Sequence, residues 1–264
     1  MELELDVALD PTLGCGQAHR WRKQEDGSWQ GVIKDSVVTM TQMPEGISFE
    51  GGHPDDVREY LRADDDLKSI IAYISAADPY VAGLSAKCPG LRILKQPEWE
   101  CLATYLLATN VNVKRIAKMV ESVCDHFGTD LGARRAFPTP RQILDGRECI
   151  RECKLGFRED RFIELAERVE AGDIDLVAMK DLDYTKLTEA LLDIKGVGPK
   201  VADCVALFGF GKLEAFPVDV RIQKYMSSIY GVEGNYRTVS GFGMEKFGKY
   251  AGYAQEFLYH SELI

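Results

Sequence analysis

A lysine and an aspartate stand just behind a glycine-rich turn in the C-terminal half of the chain. Lys200 follows Gly196-Val197-Gly198-Pro199, and Asp219 comes nineteen positions later in Phe216-Pro217-Val218-Asp219. Burial disfavours the charged form of a lysine, and a neutral amine is a nucleophile that can form a Schiff base. A nearby carboxylate can stabilise developing positive charge and help the amine to shed its proton. Such a pair is suited to covalent amine catalysis, with Lys200 buried in a pocket wall.

The turn itself predicts a helix-hairpin-helix over about residues 185–208. Gly196 and Gly198 permit backbone angles that other residues avoid, Val197 can anchor the turn in the core, and Pro199 suits a first helical turn. Such a turn points backbone N–H groups at the positive end of a helix, which suits a phosphate oxygen. An ordinary glycine-rich corner between two helices is the alternative.

Lys200 and Asp219 each also have an alternative interpretation that involves no catalysis. Asp219 directly precedes Val220 and a helical pattern, so it is well placed as an N-cap that accepts backbone N–H bonds. A lone lysine at a helix start is most often a solvated surface residue. The capping role is compatible with catalysis, because one carboxylate can do both.

Two periodicities divide the chain into a sheet part and a helical part. In the first fifty residues, the segments 18–23, 28–34 and 37–42 predict strands, with Asp26-Gly27 and Asp35-Ser36 at the hairpin turns. From His53 onward apolar residues recur at helical spacing, and Pro97, Asn112 and Pro140 mark helix starts. We therefore predict an α+β fold, with a small antiparallel β-sheet domain over residues 1–52 packed on an all-α body over residues 53–264.

The composition is that of an ordinary globular protein, with 264 residues of which 45% are hydrophobic and 28% charged. No apolar run approaches the ~20 residues that cross a bilayer, and the first residues lack the features of a signal peptide. Seven cysteines, an odd number, indicate a reducing interior. No histidine stands near the close pair Cys149 and Cys153, so no metal site is expected.

The net charge of −10 argues, taken alone, against a protein that binds nucleic acid. The charge is unevenly distributed, however. Residues 195–224 carry five basic and three acidic side chains, so the acidic excess lies elsewhere. Local charge at the hairpin therefore leaves a phosphate-binding surface possible.

The hairpin, Lys200 and the Pro-Val-Asp segment together resemble the helix-hairpin-helix DNA glycosylase superfamily, and further segments resemble its 8-oxoguanine branch. The resemblance spans nearly the whole chain and implies an all-α helix-hairpin-helix glycosylase body. It implies a bifunctional DNA glycosylase and AP lyase that flips 8-oxoguanine out of duplex DNA and excises it through a Schiff base at Lys200. The strand is then cut by β-elimination, and Asp219 stabilises charge on the sugar. The iron–sulfur branch is excluded, since no cysteine follows Cys204.

Two segments carry the resemblance in the lesion pocket. In Leu13–Trp21, which resembles a G-Q-x-F/H-R-W motif, the Gly16 carbonyl would accept the N7–H that 8-oxoguanine has and guanine lacks. In the terminal helix Tyr250–Tyr259, Gln255 would bond the Watson–Crick edge and Tyr259 would stack on the base. Cys204, one turn after Lys200, would sandwich the base as a thiolate together with the Lys200 ammonium. Gln17 and Phe208 complete the expected pocket. The alternative, purely structural interpretations are that Gly16 is a turn glycine, Tyr259 a core-packed aromatic and Cys204 a buried thiol.

Other segments resemble the part of the branch that holds DNA around the flipped nucleotide. Asn110 would fill the gap in the duplex and Arg115 would bond the orphaned cytosine, although Val111 interrupts the run of Asn found in the family. Gly156-Phe157-Arg158 is similar to a Gly-Tyr-Arg wedge, with one residue more before Arg161-Phe162. Further DNA contacts are expected at Gly196, Val197, Gly198 and Arg221.

Two alternative functions stay open at this point. One is a glycosylase for a different damaged base, and the other is a non-catalytic helix-hairpin-helix module that binds DNA. The 8-oxoguanine hypothesis implies double-stranded DNA that contains the lesion as the partner, with no cofactor, no metal and no membrane. We expect a monomer located in the cytoplasm of a prokaryote, or in the nucleus of a eukaryote.

Overall fold

The computed structural model describes residues 1–261 and confirms the α+β class. Neighbouring strands are antiparallel, and the sheet has the order β1-β5-β4-β3-β2. Its strands are β1 (Glu2–Glu4), β2 (Arg22–Lys23), β3 (Trp29–Ile33), β4 (Ser36–Met43) and β5 (Gly46–Glu50).

The strand predictions were only partly right. Segments 28–34 and 37–42 are confirmed as β3 and β4, but the β3–β4 turn is Lys34-Asp35 rather than Asp35-Ser36, because Ile33 pairs with Ser36. In segment 18–23 only the last two residues form a strand. β1 and β5 were not predicted. Gly27 adopts a φ of +86° between β2 and β3, which confirms the turn at Asp26-Gly27.

The rest of the described chain is helical. Short 3-10 helices cover Arg147–Cys153, Gly156–Arg158, Ala178–Asp181 and Gly248–Tyr250. The α-helices are α1 (Leu9–Gly14), α2 (Pro54–Tyr60), α3 (Leu67–Ala77), α4 (Pro79–Lys87), α5 (Glu98–Leu107), α6 (Val113–Phe127), α7 (Pro140–Asp145), α8 (Glu159–Glu170), α9 (Tyr184–Leu192), α10 (Pro199–Phe208), α11 (Val220–Tyr230), α12 (Tyr236–Phe247) and α13 (Ala251–His260).

Local capping chemistry explains where several helices begin. The Asn112 side chain accepts the Arg115 N–H at 3.0 Å and caps α6, while Thr139 and Gln142 form a reciprocal capping box on α7. Pro97 immediately precedes α5, and Pro140 is the first residue of α7. The three predicted helix starts are therefore confirmed.

Two apolar clusters form the core. The larger one joins α3 through α13, and the smaller one lies on the sheet, where Trp21, Trp29 and Met40 pack together with Tyr60 of α2 and with Leu94. Residues beyond position 52 thus help to cover the sheet, and the division at 52/53 stays a prediction. Within residues 1–261, no helix is both long and apolar enough to span a membrane.

A buried ionic network explains why segment 18–20 is not a strand. Arg20 is buried and pairs with Glu121 of α6 at 3.4 Å and with Glu100 of α5 at 3.7 Å, and it also donates to the Arg135 carbonyl. The segment is therefore held against the helical body instead of continuing the sheet. This places the residues just before it, from Cys15 to His19, against α5, α10 and α13.

Candidate active site

One cavity, of about 560 Å³ with its open mouth, lies between the 15–19 loop and the helical body. Its walls come from that loop, from α5, α6, α10 and α13, and from the segment that ends at Asp219. All of the residues predicted as catalytic or as lesion-pocket residues line it: Gly16, Gln17, Lys200, Cys204, Phe208, Asp219, Gln255 and Tyr259. The tertiary fold thus gathers side chains that are up to 243 positions apart in the chain.

Lys200 is the second residue of α10 and lies at the edge of this cavity. Pro199 begins the helix after Gly198, as predicted, and directs the first turn of α10 toward the cavity. The residue is exposed, so the predicted burial of Lys200 is wrong. Its position at a helix start leaves the amine on the open side, where a substrate would cover it.

Asp219 is half-buried and caps α11. Its Oδ1 accepts the N–H of Ile222 at 2.8 Å and that of Arg221 at 3.0 Å, which confirms the capping role. These bonds fix the carboxylate at the cavity wall. The catalytic role of Asp219 remains a prediction that this placement permits.

Gly16 has a φ of +95°, a conformation that side-chain-bearing residues rarely adopt. A Cβ added there would meet nothing closer than 3.9 Å, so it is the backbone angle that calls for glycine, and not a lack of space. The neighbouring Gln17 side chain is fully engaged, because it donates to the carbonyls of Thr12 and Arg92 and accepts the Leu94 N–H at 2.8 Å. Gln17 therefore acts mainly as a brace for the Gly16 backbone.

An aromatic pair supports the same loop from the helical side. The Tyr105 hydroxyl donates to the Gln17 carbonyl at 3.1 Å, and its ring stacks on Phe208 at 5.9 Å between centroids. Both rings are buried and line the cavity. They give it an apolar wall of the kind on which a planar base can pack.

The terminal helix α13 contributes the side chains expected to read the base. Gln255 is buried, and within residues 1–261 its Oε1 accepts no hydrogen bond. The Tyr259 ring lies 5.4 Å from the guanidinium of Arg221, which joins this ring to the surface expected to meet DNA. A buried amide oxygen without a partner is costly unless a ligand satisfies it.

Cys204 differs from its expected ionic state. Burial raises the pKa of this thiol to about 12, although the positive charge of Lys200 acts in the opposite direction. The group is therefore a neutral thiol at neutral pH. The expectation of a thiolate facing Lys200 is not met, while the buried thiol named as the alternative is what the structure contains.

Two polar residues of the cavity were missed as candidates. His19 lies in the G-Q-x-x-R-W segment, and burial, with a smaller effect of Lys200, lowers its pKa to about 4. Glu256 follows Gln255, and its residue is only 2% exposed. A charged residue within the otherwise uncharged run Ala251–Leu258 was the available sequence signal for Glu256.

The residues expected to hold DNA lie outside the cavity. Asn110 is exposed with a φ of +55°, and Arg115 is exposed on α6, where its guanidinium donates to the Lys154 carbonyl at 3.3 Å. In the hairpin, Val197 is buried as predicted, and Gly196 has a φ of +94°. A Cβ at Gly196 would approach the Arg161 side chain to 2.8 Å.

The expected wedge consists of an exposed ring and a buried arginine. Phe157 is 57% exposed, and the Arg158 guanidinium lies 4.2 Å from its ring. Arg158 itself is 7% exposed and donates to the carbonyls of Thr109 and Leu155. In this structure Arg158 therefore braces the turn before Asn110, and any contact of Arg158 with DNA stays a prediction.

In this chain a sheet packs on a helical body, the helix after the hairpin places a lysine at one cavity, and the start of α11 places an aspartate there. This is the architecture of the helix-hairpin-helix DNA glycosylases. Residues 2–102 match the model of the 8-oxoguanine DNA glycosylase N-terminal domain. The chain is 32% identical to a probable N-glycosylase/DNA lyase of Methanothermobacter thermautotrophicus, over 97% of this chain and 93% of the relative. It is 28% identical to the N-glycosylase/DNA lyase OGG1 of Arabidopsis thaliana, over 98% of this chain and 78% of that protein.

A solved structure is similar over the full length. The 8-oxoguanine glycosylase/lyase of Clostridium acetobutylicum, in complex with double-stranded DNA that contains cytosine opposite 8-oxoguanine, superimposes with a TM-score of 0.93. It shares 28% identity and covers 100% of this chain and 97% of its own. The chain belongs to the 8-oxoguanine DNA glycosylase family.

Proposed function

We propose that this protein excises 8-oxoguanine from duplex DNA and then cleaves the strand, with Lys200 as nucleophile. The activity class, a DNA N-glycosylase with lyase activity, is that of its relatives from Methanothermobacter and Arabidopsis. The observation that carries the proposal is the single cavity that Gly16, Lys200, Asp219, Gln255 and Tyr259 line together. Neither a non-catalytic DNA-binding module nor a plain hairpin has a reason to assemble this set.

The chemistry follows from the positions of Lys200 and Asp219. The Lys200 amine, once neutral, attacks C1′ of the flipped nucleotide, and the base departs with the electrons of the glycosidic bond. Opening of the sugar ring leaves a Schiff base. Loss of a proton from C2′ then expels the 3′ phosphate by β-elimination. Asp219, held by its capping bonds, stabilises positive charge on the sugar as the base leaves.

Selection of the lesion rests on the edge of the base that faces Gly16. 8-Oxoguanine carries a proton on N7, whereas guanine has a lone pair there. A fixed carbonyl attracts the first and repels the second. Gln255, whose Oε1 has no partner among residues 1–261, is available for the Watson–Crick edge. Tyr259 and Phe208 supply stacking surface.

The surface around the cavity is proposed to hold the bent duplex. Phe157 is the wedge, Asn110 fills the space of the flipped nucleotide, and Arg115 contacts the opposite base. Gly196 and Gly198 bind a phosphate through backbone N–H groups, whereas the Val197 N–H donates to the Ile194 carbonyl at 2.9 Å, so that Val197 would contact DNA from within the turn. Arg221 adds a positive charge beside Tyr259. The positive φ of Asn110 and the exposure of Phe157 support these roles.

An oligonucleotide series tests the proposal directly. Duplexes with 8-oxoguanine opposite cytosine, an alkylated purine, thymine glycol or no lesion are incubated with the protein, and base release and strand cleavage are measured separately. We expect release and cleavage with 8-oxoguanine, and a covalent adduct after borohydride reduction. Lys200→Gln should fold and bind the lesion duplex without excision or trapping. An adduct of undiminished yield with Lys200→Gln would remove Lys200 from the mechanism.

We also propose that the protein acts as a monomer inside the cell. All seven cysteines are free thiols, which suits a reducing interior. Sedimentation should give a single species near the chain mass of 29.5 kDa. Fractionation of the source cells should place the protein with DNA in the interior, and recovery outside the cell would contradict this location.

A further inference from the structure

Glu256 is a buried carboxyl group in the lesion cavity that the proposed mechanism does not use. It lies on α13 next to Gln255 and lines the same cavity as Lys200 and Asp219. Its residue is 2% exposed, and among residues 1–261 no group donates a hydrogen bond to its Oε1. A buried carboxyl oxygen without a partner is costly, so its retention in a binding cavity points to a ligand group.

The surroundings of Glu256 favour the neutral acid. Burial raises the pKa of Glu256 to about 7, and the negative charge of Asp219 raises it further, while the nearby Cys15 thiol acts in the opposite direction. Around neutral pH, a large share of the group is therefore a carboxylic acid. In this form it can donate a proton in a hydrogen bond, which a carboxylate cannot do.

The other titratable groups of the cavity come from every wall. The 15–19 loop contributes Cys15 and His19, α10 contributes Lys200 and Cys204, α5 contributes Tyr105, the segment before α11 contributes Asp219, and α13 contributes Tyr259. Burial raises the pKa values of the thiols and phenols, and burial lowers that of His19 to about 4. Among the groups whose pKa is shifted, Glu256 is the one that changes charge around pH 7.

The position of Glu256 next to Cys15 indicates which edge of a bound base it would meet. Cys15, which faces Glu256, is bonded directly to Gly16, so the carboxyl group lies on the same wall as the carbonyl expected to accept N7–H. In 8-oxoguanine, N7–H is flanked by two carbonyl oxygens, O6 and O8. A backbone carbonyl can pair with the central N–H only, and it leaves both flanking acceptors in need of a donor.

We propose that Glu256, as a neutral carboxylic acid, is a specificity-determining residue that donates a hydrogen bond to a carbonyl oxygen flanking N7 of the flipped base. The inference rests on the proposed function, because it needs the lesion in this cavity. Ionisation of Glu256 would replace the donor by a negative charge that faces a lone pair. Lesion binding then weakens as pH rises through neutrality.

The test measures binding rather than turnover, which separates Glu256 from the chemistry of Lys200. In the Lys200→Gln background, affinities for an 8-oxoguanine duplex and for the undamaged duplex are compared by fluorescence anisotropy between about pH 6 and about pH 8. We expect the preference for the lesion to fall about tenfold over this range, as the neutral fraction of the acid falls. Adding Glu256→Gln, which donates at every pH, should remove the decline and keep the preference high. Glu256→Leu should give a low preference throughout.

A buried carboxyl group outside the cavity provides the matched control. Burial also raises the pKa of Asp203, which is 4% exposed and accepts a hydrogen bond from Tyr184 outside the cavity, so Asp203→Asn should leave the decline in place. A duplex with 8-oxoadenine, which keeps N7–H and O8 but carries an amino group at C6, identifies the oxygen. A decline that persists with 8-oxoadenine assigns O8, and one that vanishes assigns O6.

The outcomes separate this inference from the function on which it rests. A lesion preference that is constant with pH overturns the role of Glu256, and so does an equal decline with Glu256→Gln, while the glycosylase function stands. If the Glu256→Gln variant does not fold, the Lys200→Gln protein alone still tests the proposal. A lesion preference that stays constant with pH in this protein overturns the proposal. A decline with pH that occurs for 8-oxoguanine and vanishes for 8-oxoadenine supports it. Absence of any lesion preference at every pH overturns the proposed function, and this inference with it.

Discussion

Asp219 accepts the backbone N–H of Ile222 at 2.8 Å, so the side chain proposed to stabilise the transition state is also the N-cap of α11. The same carboxylate therefore contributes both to the stability of α11 and to catalysis. The two contributions can be separated, because a neutral isostere keeps the cap and loses the charge.

We expect Asp219→Asn to reduce excision of 8-oxoguanine by about a hundredfold or more while thermal stability stays near wild type. Asp219→Ala should lose activity and also about 1 kcal/mol of helix stabilisation. Single-turnover base release and thermal unfolding measure the two effects. Full activity of Asp219→Asn would leave Asp219 with the capping role only.

The backbone angle of Gly16 predicts a selectivity defect that has a matched control. Gly16 and Gly132 have φ values of +95° and +85°, and added Cβ atoms would have room at both. Each change to alanine should cost about 1–3 kcal/mol of stability through strain. Only Gly16→Ala should also lose preference for 8-oxoguanine over guanine, since it turns the carbonyl that faces N7. Equal preferences in the two variants would contradict a reader at Gly16.

The ionic state of Cys204 predicts slow alkylation. Because its pKa is raised to about 12, the reactive thiolate is scarce at neutral pH and should increase about tenfold with each pH unit. Peptide mapping after iodoacetamide treatment, with half-buried Cys149 as internal reference, measures the rate. A plateau reached near pH 8 would mean that Cys204 is a thiolate after all. Cys204→Ser should retain most of the excision activity.

Replacement of the two arginines near the expected wedge should have different effects, one on stability and the other on DNA binding. Arg158 is buried against the carbonyls of Thr109 and Leu155, so Arg158→Ala leaves buried acceptors unpaired and should cost about 1–3 kcal/mol of stability. Arg115 is exposed, so Arg115→Ala should leave the melting temperature unchanged. Its affinity for the lesion duplex should drop, because the bond to the opposite cytosine is lost. Identical melting temperatures for the two variants would refute the bracing role of Arg158.

The sequence by itself determined the features that depend on a few neighbouring residues. Pro140, Asn112 and Asp219 predict helix starts because a cap acts within one helical turn, and Gly196 predicts the hairpin because its backbone angle is local. The spacing of Lys200 and Asp219 was informative for the same reason, since only the rest of α10 and the short segment 209–218 separate them. Family resemblance added the pocket residues of α13.

Only the tertiary structure decided what depends on distant segments. The exposure of Lys200, the neutral thiol of Cys204 and the burial of Arg158 each follow from which elements cover them, and no local pattern records that. The buried oxygen of Glu256 and its pKa of about 7 also arise only in the folded protein, where α13 meets Cys15 and Asp219. Desolvation is a property of the packed assembly, whereas capping and turn geometry belong to the chain segment itself.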